Sequence, residues 1–522
     1  MTSKKHLPSL YKLSSAVLVF SFVMSAPATA LAASSNLEVS GWIPYWRTEA
    51  GAADARAHLE QFTEVNPFGY TVRADGSLND AMGLDKAAWV KLAKESRAKK
   101  VRFVPSIMWS DANAMHAVLS DPAKRKAHVK AIVQAVEDNK FDGIDIDYEG
   151  KRLDTRDSYS AFLKELSTEL KKSKSPKWLD CTVEVRMTPE SRGTSGNVQY
   201  ATDLAKVNKY CDRVRAMTYD QQTADVELNR KHNGKLYAPV SDTAWVEKVI
   251  NYMDNDVDKK KLVMGIPTYG YVWQVMPKLD GSGYTYIKTD TFNPQYGHNI
   301  AKEYGLTPVR GASGEMTLSY VPKETNKVFP TQAELSSYAP KSTASGLLAA
   351  LGAIAYAKEE RRQTPITYLT WSDAGAIKQK IDLATKLGVA GVAIFKIDGG
   401  EDAGMWSALP SSAPKNLTAP KGTVSSSDSD TPAPTPTPAP VPGTPPTSTT
   451  GYVFTTDLEY TMESPAVLQL QKVLAAEGYL SATPNGVFGP ATLAALRAWQ
   501  TANGLPSTGY FGPMSRAKMN AR

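Results

Sequence analysis

Apolar and acidic side chains alternate along residues 141–150, so the pattern has a period of two residues. The apolar positions are Ile144, Ile146 and Tyr148, and the acidic positions are Asp145, Asp147 and Glu149. This period is typical of a β-strand with one apolar face and one face of three carboxylates. Asp142 falls on the apolar side by parity, which predicts a structural role for it.

The crowding of these carboxylates predicts a functional strand. Like charges two residues apart repel, and burying them costs several kcal/mol unless they share protons or accept hydrogen bonds. Such crowding separates the pKa values of neighbouring carboxyl groups, which suits a site that needs one acid and one carboxylate. An acidic edge strand or a calcium loop is the alternative, but a calcium loop would not place isoleucine between its ligands.

Strand patterns alternate with amphipathic helix patterns along most of the chain. The predicted strands are 37–45, one ending at 68–70, 101–107, 141–150, 181–186, 213–220, 261–267 and 391–395. The predicted helices include 85–99, 122–138, 157–172 and 374–387. Eight βα units within roughly 380 residues predict an α/β fold, a closed (β/α)8 TIM barrel. The alternative is an open doubly wound sheet, but no glycine-rich phosphate loop follows the first strand.

Three other segments complete the predicted domain organisation. The barrel domain is predicted over 36–410, and residues 272–368 are too long for a loop, which predicts an inserted α+β subdomain. Residues 411–451 are rich in Ser, Thr and Pro and predict an extended linker. Residues 452–522 carry helix patterns at 465–477 and 490–503, with Gly-x-Phe-Gly-Pro repeated at 486–490 and 509–513, and predict a second, small domain.

The N-terminus predicts export. Lysines precede a short apolar run at 16–24, and small residues follow at 28–32, as in a secretory signal peptide over 1–32. A membrane anchor is the alternative, but the run is too short to span, and no later segment is long enough. The net charge is +7 and falls to about +4 without the signal peptide. This mildly basic charge favours binding to anionic wall polymers. It is too small to indicate a nucleic-acid-binding protein.

The chain has two cysteines, Cys181 and Cys211. An exported protein permits a disulfide, and both residues lie near the starts of predicted strands. The sequence alone leaves a bridge and two free buried thiols equally open. Neither a metal nor a catalytic role is assigned to them, and no metal or cofactor is expected.

The pattern Asp-Gly-x-Asp-x-Asp-x-Glu at 142–149 resembles the signature of glycoside hydrolase family 18, which contains chitinases and N-acetylglucosaminidases. The resemblance implies that Glu149 is the general acid. It implies that the 2-acetamido group of the substrate is the nucleophile, so that no second carboxylate is needed for this role. Asp147 would orient that group, and Asp145 would share a proton with Asp147.

Other positions extend this resemblance. Residues 217–220 resemble the Met-x-Tyr-Asp motif of the family, which implies that Tyr219 bonds the acetamido oxygen and that Met217 and Asp220 line the same subsite. Residues 371–374 and 391–394 are also similar to the family. The family usually places Trp where this chain has Phe395, which weakens the expectation of efficient action on crystalline chitin. Aromatic residues at strand ends are expected to stack on sugar rings; they are Tyr45, Trp46, Tyr70 and Trp109.

The pattern over 470–480, 488–492 and 499–500 resembles a three-helix peptidoglycan-binding module. Together the resemblances imply a secreted retaining glycoside hydrolase acting on β-1,4-linked N-acetylglucosamine glycans, either peptidoglycan or chitin. The alternative is a non-catalytic, lectin-like wall protein. The expected partners are a polysaccharide substrate and the cell wall, with no nucleic acid and no membrane span. The protein is expected to be an extracellular, wall-associated monomer.

Overall fold

A closed barrel and a separate small helical unit make up the computed structural model of this chain. It describes residues 37–172, 175–188, 191, 199–221, 225–232, 235–323, 329–411, 419, 452–455, 458, 464–503, 511 and 513–521. The predicted signal peptide and nearly all of the predicted linker lie outside these residues. Contacts divide the chain into Met1–Ser425 and Ser426–Arg522, a division inside the predicted linker. The domain boundaries themselves stay predictions.

The strands are β1 (Glu38–Pro44), β2 (Glu64–Val72), β3 (Leu78–Asp80), β4 (Arg102–Phe103), β5 (Ser106–Trp109), β6 (Gly143–Tyr148), β7 (Trp178–Val183), β8 (Arg213–Ala216), β9 (Leu262–Pro267), β10 (Gly270–Pro277), β11 (Tyr284–Phe292), β12 (Val309–Arg310), β13 (Met316–Tyr320), β14 (Ile366–Trp371) and β15 (Gly391–Phe395).

The helices are α1 (Thr48–Ala57), α2 (Ala87–Ala98), α3 (Ala112–Leu119), α4 (Pro122–Asp138), α5 (Arg156–Lys171), α6 (Leu204–Tyr210), α7 (Val226–Lys231), α8 (Thr243–Met253), α9 (Pro294–Tyr304), α10 (Gln332–Tyr338), α11 (Leu348–Glu360), α12 (Ala374–Leu387), α13 (Met405–Ala408), α14 (Pro465–Ala476), α15 (Pro490–Ala502) and α16 (Pro513–Asn520).

Eight parallel strands form the barrel, which confirms the predicted fold class. Their order is β1-β15-β9-β8-β7-β6-β5-β2, and β1 also pairs with β2, so the sheet closes. The helices pack outside it on apolar faces set by the sequence period. Helix α4, for example, starts where Asp121 accepts hydrogen bonds from the N–H groups of Ala123 and Lys124, with Pro122 at its first position.

Two strands differ from their predicted bounds by three residues or more. β7 begins three residues before Cys181, so this cysteine lies within the strand. β8 ends at Ala216, four residues before its predicted end. After it, Thr218 N–H bonds Ala216 O and Tyr219 N–H bonds Met217 O, so the chain turns tightly and leaves the sheet. The Met-x-Tyr-Asp segment is therefore a turn at the barrel rim.

The lower interior of the barrel is filled by charged side chains, where branched apolar residues dominate in most barrels of this type. Arg102 and Arg215 both bond the buried carboxylate of Glu64, and Arg215 also bonds Asp180 at 2.7 Å. Burial alone would raise the pKa of Glu64, but the charges of Arg215 and Arg102 outweigh it and hold the pKa at about 2. Burial and the charge of Glu64 raise the pKa of Asp180 well above its usual range.

The chain segment between β9 and α12 forms a second, antiparallel sheet. Its order is β11-β10-β14-β13-β12, and helices α9, α10 and α11 accompany it. The sheet starts at Gly270 and ends at Trp371, slightly wider than the predicted 272–368. Its inner aromatic residues form a cluster against which Met217 and Phe395 of the barrel pack. The insertion therefore forms one aromatic side of the barrel mouth.

Three helices, α14, α15 and α16, form the described part of the C-terminal unit. Their shared core is apolar and includes Val467, Leu470, Leu474, Leu496 and Trp499. The buried amide of Gln471 donates to Val487 O and Thr492 Oγ1, both at 2.8 Å, and its oxygen accepts from Gly486 N–H. These bonds hold the first Gly-x-Phe-Gly-Pro segment against α14, and only Phe511 and Pro513 of the second repeat lie within the described residues.

Cys181 and Cys211 form a disulfide, which decides between the two alternatives left by the sequence. Both residues are buried, one within β7 and the other at the end of α6. The bridge closes a segment with a sequence separation of 30. Closing a loop of that length removes conformational entropy from the unfolded chain and stabilises the fold by about 3–4 kcal/mol.

We expect the Cys181→Ala/Cys211→Ala variant to have a lower free energy of unfolding than the parent protein, by the amount that loop closure supplies. The variant should therefore unfold at a lower denaturant concentration. Tryptophan fluorescence in urea measures the midpoint. A reducing agent should lower the midpoint of the parent and leave that of the variant unchanged. Equal midpoints for the oxidised parent, the reduced parent and the variant would contradict a stabilising bridge.

Candidate active site

Strand β6 carries the acidic face into the barrel, where Asp145 is surrounded by donors. Trp42 Nε1 and Ser106 Oγ donate to Asp145 Oδ2 at 3.0 and 2.6 Å, and Thr182 Oγ1 donates to Oδ1 at 2.9 Å. Arg215 Nη1 lies 3.3 Å from Oδ2 as an ion pair. A carboxyl that only accepts has the environment of an ionised group.

Asp147 lies above Asp145 on the same face and is also buried. Its burial, the charge of Glu149 and the charge of Asp145 raise the pKa of Asp147 well above the usual range. A hydrogen bond with Glu149 favours the protonated form of Asp147. Its Oδ1 has no hydrogen-bond partner among the described residues.

Glu149 follows β6 at the rim and is half-buried. Burial and the charge of Glu184 raise the pKa of Glu149, against the opposing effects of its hydrogen bond with Asp147 and the charge of Lys151. We predicted that Asp145 and Asp147 share a proton. The hydrogen bond of Asp147 instead runs to Glu149, because three other donors already occupy Asp145.

The acidic motif requires glycine at position 143 for a steric reason. A Cβ at Gly143 would lie 2.4 Å from the carbonyl oxygen of Trp178 on the neighbouring strand. Only glycine allows β6 and β7 to approach so closely at this level, below the acidic residues. Asp142, which was predicted to be structural, accepts a hydrogen bond from Phe103 N–H at 2.8 Å on the outer side of β6.

The turn after β8 places Tyr219 and Asp220 at the same rim. Asp220 has φ of +57°, in the left-handed region, and its side chain is exposed. The hydroxyls of Tyr269 and Tyr271 both donate to Asp220 Oδ1, the former at 2.5 Å. Two tyrosines on the insertion side thus hold one oxygen of this carboxylate.

Aromatic rings form the floor between the two sides. Phe395 stacks on Tyr219, with ring centroids 5.3 Å apart and planes 17° apart. Trp42 and Tyr269 meet Phe395 edge-on at 5.9 and 6.0 Å. Burial and the charge of Asp147 raise the pKa of Tyr219 far above its usual range, so its hydroxyl stays a donor. Phe395 thus lies at the centre of the mouth, followed by a cis peptide bond to Lys396.

Tyr45 and Trp46 lie at the rim directly after β1. Trp46 has 53% of its surface exposed and meets Tyr45 and Phe68 edge-on at 4.9 and 6.0 Å. Phe68 was not among the predicted site residues, yet its side chain joins the small apolar cluster inside the barrel with Trp42. An exposed indole beside this cluster is suited to stacking on a sugar ring.

Two predicted sugar-stacking residues lie elsewhere. Trp109 and Tyr70 are only 2% and 5% exposed, within the main core. Trp109 pairs with Tyr148 and shares its outward face, where the two rings are 5.4 Å apart. The register of β2 shifts between Phe68 and Tyr70, which turns Tyr70 outward against Phe141. The prediction of sugar stacking was therefore wrong for these two residues.

The sequence interpretation missed several polar residues at the site: Ser106, Thr182, Glu184, Lys151 and Arg215. Ser106 pairs with Asp145, and Thr182 pairs with both Asp147 and Arg215 in the strand register. Ser106, Thr182 and Arg215 therefore face inward by the same parity that identified the acidic face. That parity is the signal that could have found these three residues.

The site thus combines the buried carboxyl of Asp145 with its three hydrogen-bond donors, a buried carboxyl of strongly raised pKa above it, a carboxyl of raised pKa at the rim and a tyrosine donor. This arrangement can deliver a proton at the rim and stabilise positive charge beneath it. Within the described ranges, no group of three or more His, Cys, Asp or Glu residues could hold a metal ion. No helix among the described residues is long and apolar enough to cross a membrane.

Residues 19–400 match the family described as Glycosyl hydrolases family 18. The chain belongs to this family. Membership of this family supports the predicted enzyme class, a glycoside hydrolase. Residues 463–519 match the family described as "Putative peptidoglycan binding domain", which confirms the resemblance of the C-terminal unit and indicates association with wall polymer.

Among curated relatives, this family 18 enzyme is 28% identical over 219 residues to "Uncharacterized glycosylase YvbX" of Bacillus subtilis, covering 42% of this chain and 57% of the relative. The chain spans about half the length of the curated relatives it matches.

Two solved structures share the fold. The spore cortex-lytic enzyme SleL of Bacillus cereus aligns with a TM-score of 0.53 at 17% identity, covering 73% of this chain and 75% of that one. A chitinase of Chromobacterium violaceum aligns with a TM-score of 0.51 at 19% identity, covering 71% and 97%.

Proposed function

We propose that this family 18 enzyme is a secreted retaining hydrolase that cleaves β-1,4-linked N-acetylglucosamine glycans, with peptidoglycan as the first candidate substrate and chitin as the second. The observation that carries the proposal is the pair of Asp147 and Glu149. Glu149 lies at the rim with a raised pKa and is hydrogen-bonded to a buried carboxyl. A raised pKa favours the protonated form of Glu149, which is the form that can protonate a glycosidic oxygen.

Glu149 acts as the general acid, and the acetamido carbonyl of the substrate attacks the anomeric carbon. Asp147 Oδ1, which has no hydrogen-bond partner among the described residues, accepts the acetamido N–H. Tyr219 donates its hydroxyl to the acetamido oxygen. As positive charge develops on the cyclising group, the anion of Asp145 and the polarised Asp147 stabilise it from below.

Asp220 and the aromatic surfaces bind the sugar rings. The free carboxylate oxygen of Asp220 accepts from a sugar hydroxyl, since the other oxygen is held by two tyrosines. Phe395 and Met217 form the floor of the cleavage subsite, and Trp46 with Tyr45 extends the binding surface at the far rim. Phenylalanine covers less of a pyranose ring than tryptophan does, so we expect weaker binding to crystalline chitin.

Two observations support action outside the cell and on the wall. A buried disulfide is typical of proteins that fold in an oxidising compartment, which agrees with the predicted signal peptide. The C-terminal match to a peptidoglycan-binding family favours peptidoglycan over chitin. Tethering a catalytic domain to an insoluble polymer raises its local concentration without any new contact at the cleft.

Glu149→Gln retains the size of the side chain and removes the proton donor. We expect cleavage of chitohexaose to fall by at least ~10²–10⁴-fold, because an unactivated sugar leaving group needs protonation. Chromatography of the products measures the rate, and calorimetry should show that oligosaccharide binding survives. Glu137→Gln, an exposed change at the end of α4, is the matched control. Unchanged turnover in the Glu149 variant contradicts the assignment, whereas a parent protein that binds without cleaving favours the lectin alternative.

Deleting residues 411–522 should leave cleavage of soluble oligomers nearly unchanged and lower both binding to insoluble wall sacculi and cleavage of them. The predicted linker of about 40 residues can extend over roughly 100 Å, so the module acts as a tether. Sedimentation with sacculi, at low and high salt, separates specific binding from charge. Equal sedimentation of the full chain and the truncated chain at high salt would remove the support for peptidoglycan.

A further inference from the structure

A buried lysine and a half-exposed glutamate meet directly behind Glu149. Lys151 lies two residues after it, and its side chain is fully buried although it ends in an ammonium group. Its Nζ donates to Tyr148 O, lies 3.8 Å from Glu184 Oε2, and faces the Tyr159 ring with 4.9 Å to the ring centroid. A lysine is rarely buried unless its charge is compensated.

Glu184 completes the arrangement from the neighbouring strand. It follows β7 at the rim, and 48% of its side chain is exposed. Its Oε1 accepts a hydrogen bond at 2.9 Å from Gly150 N–H, which belongs to the peptide directly after Glu149. Gly150 has φ of +64°, a conformation that favours glycine, and this bend brings Lys151 back beneath the strand end.

Both side chains therefore hold the backbone on either side of Glu149. Lys151 binds the carbonyl of the residue before it, and Glu184 binds the N–H of the residue after it. The ion pair between them joins these two anchors. A carboxyl on a backbone fixed at both ends keeps its orientation during proton transfer, which catalysis requires to within a fraction of an ångström.

We propose that Lys151 and Glu184 form a positioning pair that fixes the backbone around Glu149 and sets the pH range over which Glu149 carries its proton. The inference rests on the proposed function of Glu149 as the acid. The pair does not touch the reacting atoms; it acts through Glu149. The two charges act on that carboxyl in opposite directions, because a nearby anion favours its protonated form and a nearby cation favours its ionised form.

The electrostatic surroundings agree with these directions. Burial and the charge of Glu184 raise the pKa of Glu149, and the charge of Lys151 lowers it. Burial lowers the pKa of Lys151, whereas Glu184, Asp147 and Glu149 favour its charged form. The charged groups that face Glu149 or Lys151 are Asp147, Lys151, Glu184, Arg186 and Asp220, together with Glu149 itself.

The test uses the full chain, chitohexaose as the probe, and the pH dependence of kcat/KM, whose basic limb reports deprotonation of the acid in the free enzyme. Glu184→Gln retains an oxygen acceptor for Gly150 N–H and removes the anion, so the basic limb should move to lower pH by about one unit. Lys151→Met removes the cation, so the limb should move to higher pH by a similar amount. The double variant should lie close to the parent.

The surface pair of Glu169 on α5 and Lys172 directly after it provides the matched control, since it allows the same two substitutions on an exposed ion pair of 2.7 Å. Glu169→Gln and Lys172→Met should leave the limb in place. A purely structural role for the buried pair predicts lower activity in both variants with an unmoved limb. The proposal would be overturned if the basic limb moved in the same direction in Glu184→Gln and Lys151→Met, or if it moved in neither variant.

Two further measurements keep the result decisive. If Lys151→Met does not fold, Lys151→Arg retains the charge and should leave the limb unmoved, while Glu184→Gln, at a half-exposed position, still must lower it. The Glu149→Gln variant is measured alongside. Unchanged cleavage by that variant means that the proposed acid is wrong; lost cleavage together with an unmoved limb in the pair variants means that only the positioning role is wrong.

Discussion

Compensation of the buried carboxylates of β6 is the constraint on which the rest of this structure depends. An anion inside a barrel is stable only where donors and cations replace its water, and leaving one uncompensated costs several kcal/mol. Asp145 meets this condition through donors from three other strands and through Arg215. The remaining bonds of Arg215 run to Glu64 and Asp180, so the compensation continues to the lower end of the barrel.

The same constraint applies to the three acidic residues of the candidate site, which lie one above another from the barrel interior to its rim. Burial and the charges of Glu149 and Asp145 raise the pKa of Asp147, whereas burial and the charge of Glu184 raise that of Glu149 at the rim. These three acidic residues of one short segment thus have three different environments. The insertion contributes the opposite side, where two tyrosines hold Asp220 and an aromatic cluster packs against Phe395.

The hydrophobic period of the sequence was sufficient to predict the helices and strands in which that period is strong. Helices at 122–138 and 374–387 and the strand at 391–395 have their predicted bounds, and parity alone placed Asp145 and Asp147 inward. The errors arise where parity fails or was not applied. A register shift beside Gly69 turned Tyr70 outward, and Trp109 lay on the outward face from the start. The pairing of Lys151 with Glu184 depends on which strands are neighbours, which a local pattern does not contain.

Substrate-assisted catalysis requires retention of the anomeric configuration, which can be read from the anomeric form of the first product. Proton NMR of chitohexaose cleavage, recorded within the first minutes before mutarotation, distinguishes the two anomers of the new reducing end. Attack by the acetamido carbonyl followed by water inverts the anomeric carbon twice, so the β-anomer is the expected first product. The α-anomer as first product would show a single inversion and would contradict the mechanism.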